Sequence, residues 1–384
     1  MKLKLIALST MAAFSSSAFA EVELYKDDTN TIKFAGDVTA SLVNGEDSSG
    51  ESYNEIRDNF NRIYLSFNSQ LKDGWSAIAK LEWKVRFAEN DSDLVLNGSS
   101  ENSSLGGDDA DQSLSNRLGY FGVTHDKWGT ITMGKQWGSS YMATAATDSF
   151  MIFGGEGLGI FDLGDGGFTG TGRAEKALQY SNTFGNLKVS TQVQVSNEKI
   201  DTTDFEQLPN IGQQPFEYIE LDGSFGFGAN YSIGEKVNVA VGYNTATFEA
   251  DTGAEMDSIM TAANVTYGSR GGQGLYAAVV VVDGENHHRD NQGMFLDEST
   301  GVEVLVAYRF ENDFEVLGGA VEVTTDDSGN DYEKSYLIAG VTYYWSDSFR
   351  VFTEVKVDDS THVEGGQSYT PEDDVIGFGA RFSF

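Results

Sequence analysis

The chain has 384 residues and a net charge of −34, from 59 acidic against 25 basic residues, with no cysteine. The acidic excess excludes nucleic acid, or anionic lipid reached through a basic patch, as a partner. The lack of cysteine excludes a disulfide scaffold and a thiolate metal site.

The first twenty residues, MKLKLIALSTMAAFSSSAFA, set Lys2 and Lys4 before a short apolar stretch and end on Ala18-Phe19-Ala20. That order predicts a secretory signal peptide over residues 1–20 and a mature domain over 21–384. Losing both lysines takes the net charge to −36. Beyond residue 20 no apolar run approaches the eighteen or so residues of a membrane helix.

The mature chain repeats one pattern. In WSAIAKLEWKVRF, Trp75, Ala77, Ala79, Leu81, Trp83, Val85 and Phe87 share one face, while Lys80, Glu82, Lys84 and Arg86 lie on the other. A period of two is the signature of a strand with unlike faces. Sixteen such segments occur, near 31–43, 60–71, 75–87, 116–125, 130–137, 173–183, 187–196, 223–232, 236–247, 258–268, 275–283, 301–310, 314–324, 335–345, 349–357 and 374–384. Very short turns, such as KDG at 72–74 and SDS at 346–348, alternate with long polar segments such as 88–115, 138–172 and 197–222. The three prolines, Pro209, Pro215 and Pro371, fall in loops, as a continuous sheet requires. The reading is all-β: a 16-stranded antiparallel up-and-down meander with two unlike ends.

Aromatics gather where strands meet short turns: Trp75, Trp128 with Tyr120, Tyr180, Tyr231, Tyr267, Tyr308, Trp345 and Phe349. Such rings form an interfacial girdle, which predicts a transmembrane β-barrel. In hydrocarbon an open sheet edge leaves backbone groups unsatisfied, so the sheet must close. Lys176 shares the parity of Leu178 and Tyr180 and is expected near a rim, since a midplane lysine costs about 2–4 kcal/mol.

The segment from Gly138 to Gly172 is too long for a connector, and such loops commonly carry function. ELYKDDTNTIKFAGD, NRIYLSF, RLGYFGV, GTITMGKQWGSSY, FGGE, Gly172-Arg173 and the aromatic C-terminal strand follow one another in order. Together they resemble the Gram-negative general (non-specific) porin family across essentially all of the mature chain. The resemblance implies a trimeric outer-membrane diffusion channel with short periplasmic turns, long extracellular loops and a third loop folded into the barrel. In that family loop carboxylates face an arginine ladder across the pore. The matching positions are Arg62, Arg117 and Arg173 on the wall, with Asp148 and Glu156 on the loop. Asp37 stands where the family often has a lysine, and Ser115 replaces another wall lysine. Met151 and Ile152 stand where the family has a proline and a glutamate.

Opposite charges across a gap comparable to the roughly 8 Å Debye length are incompletely screened and create a transverse field. Residues 88–115 hold seven acids and no base. Mouth and wall both read as negative, which predicts cation preference. Blander readings stand beside these. The arginines could simply pair with Glu82 or Glu354 and stiffen the wall. Acidic loops could be merely solvated, or bind divalent cations weakly near lipopolysaccharide; no other cofactor is expected. Trp137 could stack on sugar, as in an oligosaccharide-selective porin, or pack at the loop's root. Gly36, Val38, Ala40 and Leu42 give a small outer face suited to a subunit contact in a homotrimer. No serine or aspartate pairs with a histidine by spacing, so no enzyme is expected. A barrel acting mainly as a surface adhesin or receptor is the reading from another class.

The last twelve residues, DDVIGFGARFSF, alternate to the end: Ile376, Phe378, Ala380, Phe382 and Phe384 face lipid, while Arg381 and Ser383 face water. This strand must pair with the first to abolish the last open edge. Its terminal aromatics, Phe382 and Phe384, also resemble the signal that barrel-assembly machinery reads on its clients. Deleting Phe384 is therefore expected to lower the yield of assembled protein far more than the conductance of the channels that form. A normal yield would contradict this.

Overall fold

The computed structural model describes residues 21–46, 52–88, 114–196, 199–201, 217–291, 294–325, 332–364, 367–370 and 374–384. The predicted signal peptide and residues 89–113 of the acidic segment lie outside the described residues. Among those described, nineteen strand segments form one antiparallel sheet that closes on itself. Two of them, Ser52–Asp58 and Arg62–Gln70, are one strand broken at Asn59–Asn61, and Val22–Lys26 and Lys199–Asp201 are short flanking pieces. Sixteen barrel strands remain. They are β1 (Asn30–Glu46), β2 (Ser52–Asp58 and Arg62–Gln70), β3 (Trp75–Val85) and β4 (Leu114–His125). Next come β5 (Gly129–Trp137), β6 (Arg173–Phe184), β7 (Leu187–Gln194) and β8 (Tyr218–Ile233). The far side comprises β9 (Val237–Ala250), β10 (Glu255–Tyr267), β11 (Gly274–Glu285) and β12 (Glu298–Arg309). The last are β13 (Phe314–Thr325), β14 (Glu333–Tyr344), β15 (Phe349–Asp358) and β16 (Val375–Ser383).

Closure runs through β1 and β16, in register from Asp37 opposite Ser383 to Gly45 opposite Val375. The pairing continues one step further, where Gly36 and Phe384 exchange backbone hydrogen bonds of 2.8 and 3.0 Å. Below that point β1 pairs with Val22–Lys26, so the N-terminal arm covers the edge that the closing strand does not reach. Phe384 rests on Phe34 and Phe382, with ring centroids 5.5 and 5.7 Å away.

The outer face is the apolar one. Leu42, Phe121, Val241, Val265, Leu337 and Phe378 are each 50–60% exposed, a surface that water penalises and lipid accepts. Trp128, Tyr231, Tyr267, Tyr308 and Trp345 ring the short-turn end as predicted and are exposed. Tyr120 departs from that expectation: Phe121 takes the outward position, and Tyr120 lines the lumen beside Lys80 and Glu82. Lys176 lies at the loop end of β6, at a bulge where the pairing with β5 shifts, and its Nζ reaches Ser196. The rim placement expected for it is met by one extra residue in the ladder.

The interior is not uniformly watery. Residues 138–172 fold inside the barrel and lie against β8–β16. Tyr141, Leu158 and Ile160 pack on Ala240, Met260, Val280 and Val282, and Phe150 packs on Leu305, Leu317 and Tyr336. Inward glycines let the loop approach closely. A Cβ on Gly228 would overlap the carbonyl of Ser139, and one on Gly301 would overlap that of Gly157. Gly301→Val should leave the barrel assembled but push the loop into the lumen, lowering single-channel conductance. Unchanged conductance in folded G301V would contradict this seating.

Candidate functional site: a charged constriction

The narrow part of the lumen lies between the loop and the opposite wall and encloses a cavity of about 490 Å³. It brings together five of the six constriction residues expected from sequence: Arg62, Arg117, Arg173, Asp148 and Glu156. Asp37, the sixth, is withdrawn. It is 1% exposed, bonded to Arg62 at 3.0 Å and to the Ser383 hydroxyl at 2.6 Å. Its parity points inward, but Arg62 covers it, so it neutralises the wall without facing solute.

Glu82 organises the wall. The carboxylate is 1% exposed and meets Lys80 at 2.8 Å, Arg117 at 2.9 Å and Arg62 at 3.9 Å. Arg117 reaches it because β4 carries a bulge there: Glu82 stands opposite Leu118 and Trp83 opposite Asn116, leaving Arg117 as the extra residue. Lys84 joins the cavity lining, whereas Lys80 and Glu82 line a groove beneath the loop. Arg86 acts on Lys84 through its charge. Arg173 pairs with Asp165 of the loop, a carboxylate the sequence reading did not single out.

Across the cavity the loop is held by two inward carboxylates. Glu354 accepts the N–H groups of Met151, Ile152 and Phe153 at 2.7, 2.8 and 3.2 Å. Glu303 accepts from the Gly157 N–H at 2.9 Å and the Thr147 hydroxyl at 2.5 Å. The expected pairing of Glu354 with the wall arginines is thus corrected: backbone donors of the loop occupy it. Proline at position 151 would lack the N–H that Glu354 accepts, which accounts physically for Met151 there. Asp148 accepts from the Tyr141 hydroxyl, and Glu156 lies 3.3 Å from Lys334.

Arg270 was missed because it sits in the short turn after β10. It reaches up to Ser149 of the loop at 3.0 Å and to Glu315 at 2.7 Å. Arg350 and Arg381 also line the cavity. Seven basic and five acidic side chains now surround it, so the expectation that the wall leans negative is corrected. Trp137 stacks on Tyr141 at 4.2 Å and meets Phe161 edge-on at 6.3 Å. One ring face is therefore covered, as packing at the loop's root requires.

His287 and His288, in the segment between β11 and β12, clamp the loop from the long-loop end of the barrel. Their Nε2–H groups donate to the carbonyls of Leu158 and Gly157, at 2.8 and 3.0 Å, and Nδ1 of His288 lies 2.8 Å from the Ser299 hydroxyl. Burial lowers His287 to about 4 against a weaker opposing pull from its bond to Leu158. Burial, then the neighbouring His287, holds His288 well below its ordinary range.

A sequence-family profile described as Gram-negative porin matches residues 7–362. Across the full length of both chains, identity is 24% to outer membrane protein U of Vibrio parahaemolyticus and 25% to porin-like protein L of Photobacterium profundum. Among solved structures, Salmonella typhi OmpF in complex with daunomycin matches with a TM-score of 0.70 at 18% identity, over 94% of this chain and all of that one. An anion-selective porin from Comamonas acidovorans matches at 0.64 and 14% identity, over 92% of this chain and all of that one.

A histidine whose folded pKa is depressed binds its proton more readily once released. The clamp is therefore fully present above the ordinary histidine pKa of about 6.5 and weakens as pH falls toward about 4. Asp162 of the loop, pushed up to about 6 by burial, titrates in the opposite sense, so histidine variants separate the two. Open-channel current noise should rise between pH 6.5 and 4 in the native protein. H287Q/H288Q keeps amide donors and should flatten that profile; an unaltered profile would contradict the clamp.

Proposed function

We infer what passes through this barrel from one premise: the chain belongs to the Gram-negative porin family. It is an outer-membrane channel for passive diffusion. The observation that carries the finer reading is the charged gap between the inward loop and the arginine wall. Ions and small hydrophilic solutes cross it down their gradients, because opposed charges order water and disfavour apolar molecules. No chemistry is performed on them.

We propose that cations are preferred, and that the vestibules rather than the constriction set the preference. The narrow section carries two more bases than acids, whereas the mature chain carries −36. Exposed acids at the long-loop ends of the strands, among them Glu217, Asp251, Glu255 and Glu285, concentrate cations before they reach the gap. Divalent cations bind weakly to these acidic loops, beside lipopolysaccharide. Assembly as a homotrimer is supported by the small outer face of Gly36, Val38, Ala40 and Leu42, and insertion by barrel-assembly machinery by the Phe382 and Phe384 terminus.

The test is the salt dependence of selectivity. The Debye length is about 10 Å at 0.1 M and about 3 Å at 1 M, so vestibule charges lose their reach while a narrow constriction keeps its own. Reversal potentials in KCl gradients should favour potassium at low salt and lose that preference near 1 M. Anion preference at low salt, or a cation preference undiminished at 1 M, would contradict the assignment.

A further inference from the structure

Arg350 of β15 and Arg381 of β16 are directly opposite each other in the sheet, both on the inner face. Like charges in that relation repel at close range and weaken a strand pair. The nearest acids act on them only at longer range and are bonded elsewhere. Asp37, the nearest acid on β1, is bonded to Arg62 and Ser383, and Glu354 is filled by three N–H groups of the loop. Among the described residues neither arginine has a carboxylate within ion-pair distance.

Part of the pair's donor capacity is unspent. Arg381 is 8% exposed and its Nε donates to Thr39 at 2.8 Å, but its Nη2 has no hydrogen-bond partner. Nε of Arg350 is likewise buried without one. Both side chains line the narrow cavity, opposite Met151, Ile152 and Gly154 of the loop. Aromatic rings flank them, with Phe60 5.6 Å from the Arg381 guanidinium and Tyr344 5.8 Å from that of Arg350. Phe60 holds a left-handed backbone, φ 55°, at the break in β2, a conformation that costs energy in a non-glycine residue.

We propose that Arg350 and Arg381 form an oxyanion subsite on which the carboxylate of a permeating solute docks during transit. Two planar guanidiniums with unspent N–H groups suit a carboxylate's two oxygens better than a chloride ion, which offers no planar pair of acceptors. The subsite rests on the diffusion-channel reading and deepens it. A bulk preference for cations governs entry, and a local step on the β15–β16 wall retains solutes that bear a carboxylate.

The experiment uses assembled channels in planar bilayers, with succinate as probe and neutral succinamide as its isostere. Succinate should reduce the potassium current saturably, and succinamide should not. R350Q and R381Q should each weaken that block about tenfold, the loss expected for a charged hydrogen-bonding partner. K188Q removes one positive charge from the groove beneath the loop and should leave the block intact. Because Arg381 sits on the closing strand, R350Q decides the matter alone if R381Q does not assemble. Absence of saturable block in the native channel, full block in R350Q, or equal loss in K188Q would each overturn the subsite. Normal KCl conductance alongside any of these results would leave the channel reading standing.

Discussion

Everything in this protein depends on the seam between its first and last strands. A backbone N–H or C=O left unpaired in hydrocarbon costs several kcal/mol, so a sheet in lipid is stable only if closed. Here β16 pairs with β1 to its final residue, Phe384 on Gly36, and the Val22–Lys26 arm continues along the same edge. Closure also fixes the alternation of faces. With lipid outside, every second residue of each strand is released from contact with hydrocarbon and can carry charge.

What the chain does with that interior is asymmetric. One side carries a network centred on Glu82, in which one buried carboxylate serves three cations. The other side is apolar over β9–β13 and serves as a floor for the inward loop. Apolar packing alone would let a glycine-rich loop slide. Directional bonds from Glu303, Glu354, His287 and His288 to its backbone give it one position. Each loop N–H deprived of its carboxylate would be left buried and unsatisfied, at about 1–3 kcal/mol.

Strand number and the closing strand were legible because a barrel in lipid enforces a period of two, whereas the three wall arginines came from the family resemblance, and Arg117 points inward by way of a bulge. Parity says which residues point inward, but not whether they meet water, the loop or one another. Glu354 and Asp37 both read as lumen charges; one turned out to hold the loop and the other to sit beneath Arg62. The floor did leave a trace, since LYAAVVVV at 275–282 is apolar on both faces, unlike the charged alternation of β3. A strand apolar on both faces is covered on both faces. Arg270 left none, because a turn residue has no parity and its reach depends on tertiary geometry.

The central claim is that the loop rests on the β8–β16 wall while the channel conducts, leaving one charged passage beside it. The native sequence has no cysteine, so an engineered pair reports without interference. Gly157 faces Val321 closely enough for Gly157→Cys with Val321→Cys to form a disulfide. The account predicts that this pair oxidises in the assembled protein and that oxidised and reduced channels conduct alike. Failure to cross-link, or a change in conductance on oxidation, would show that the conducting loop lies elsewhere.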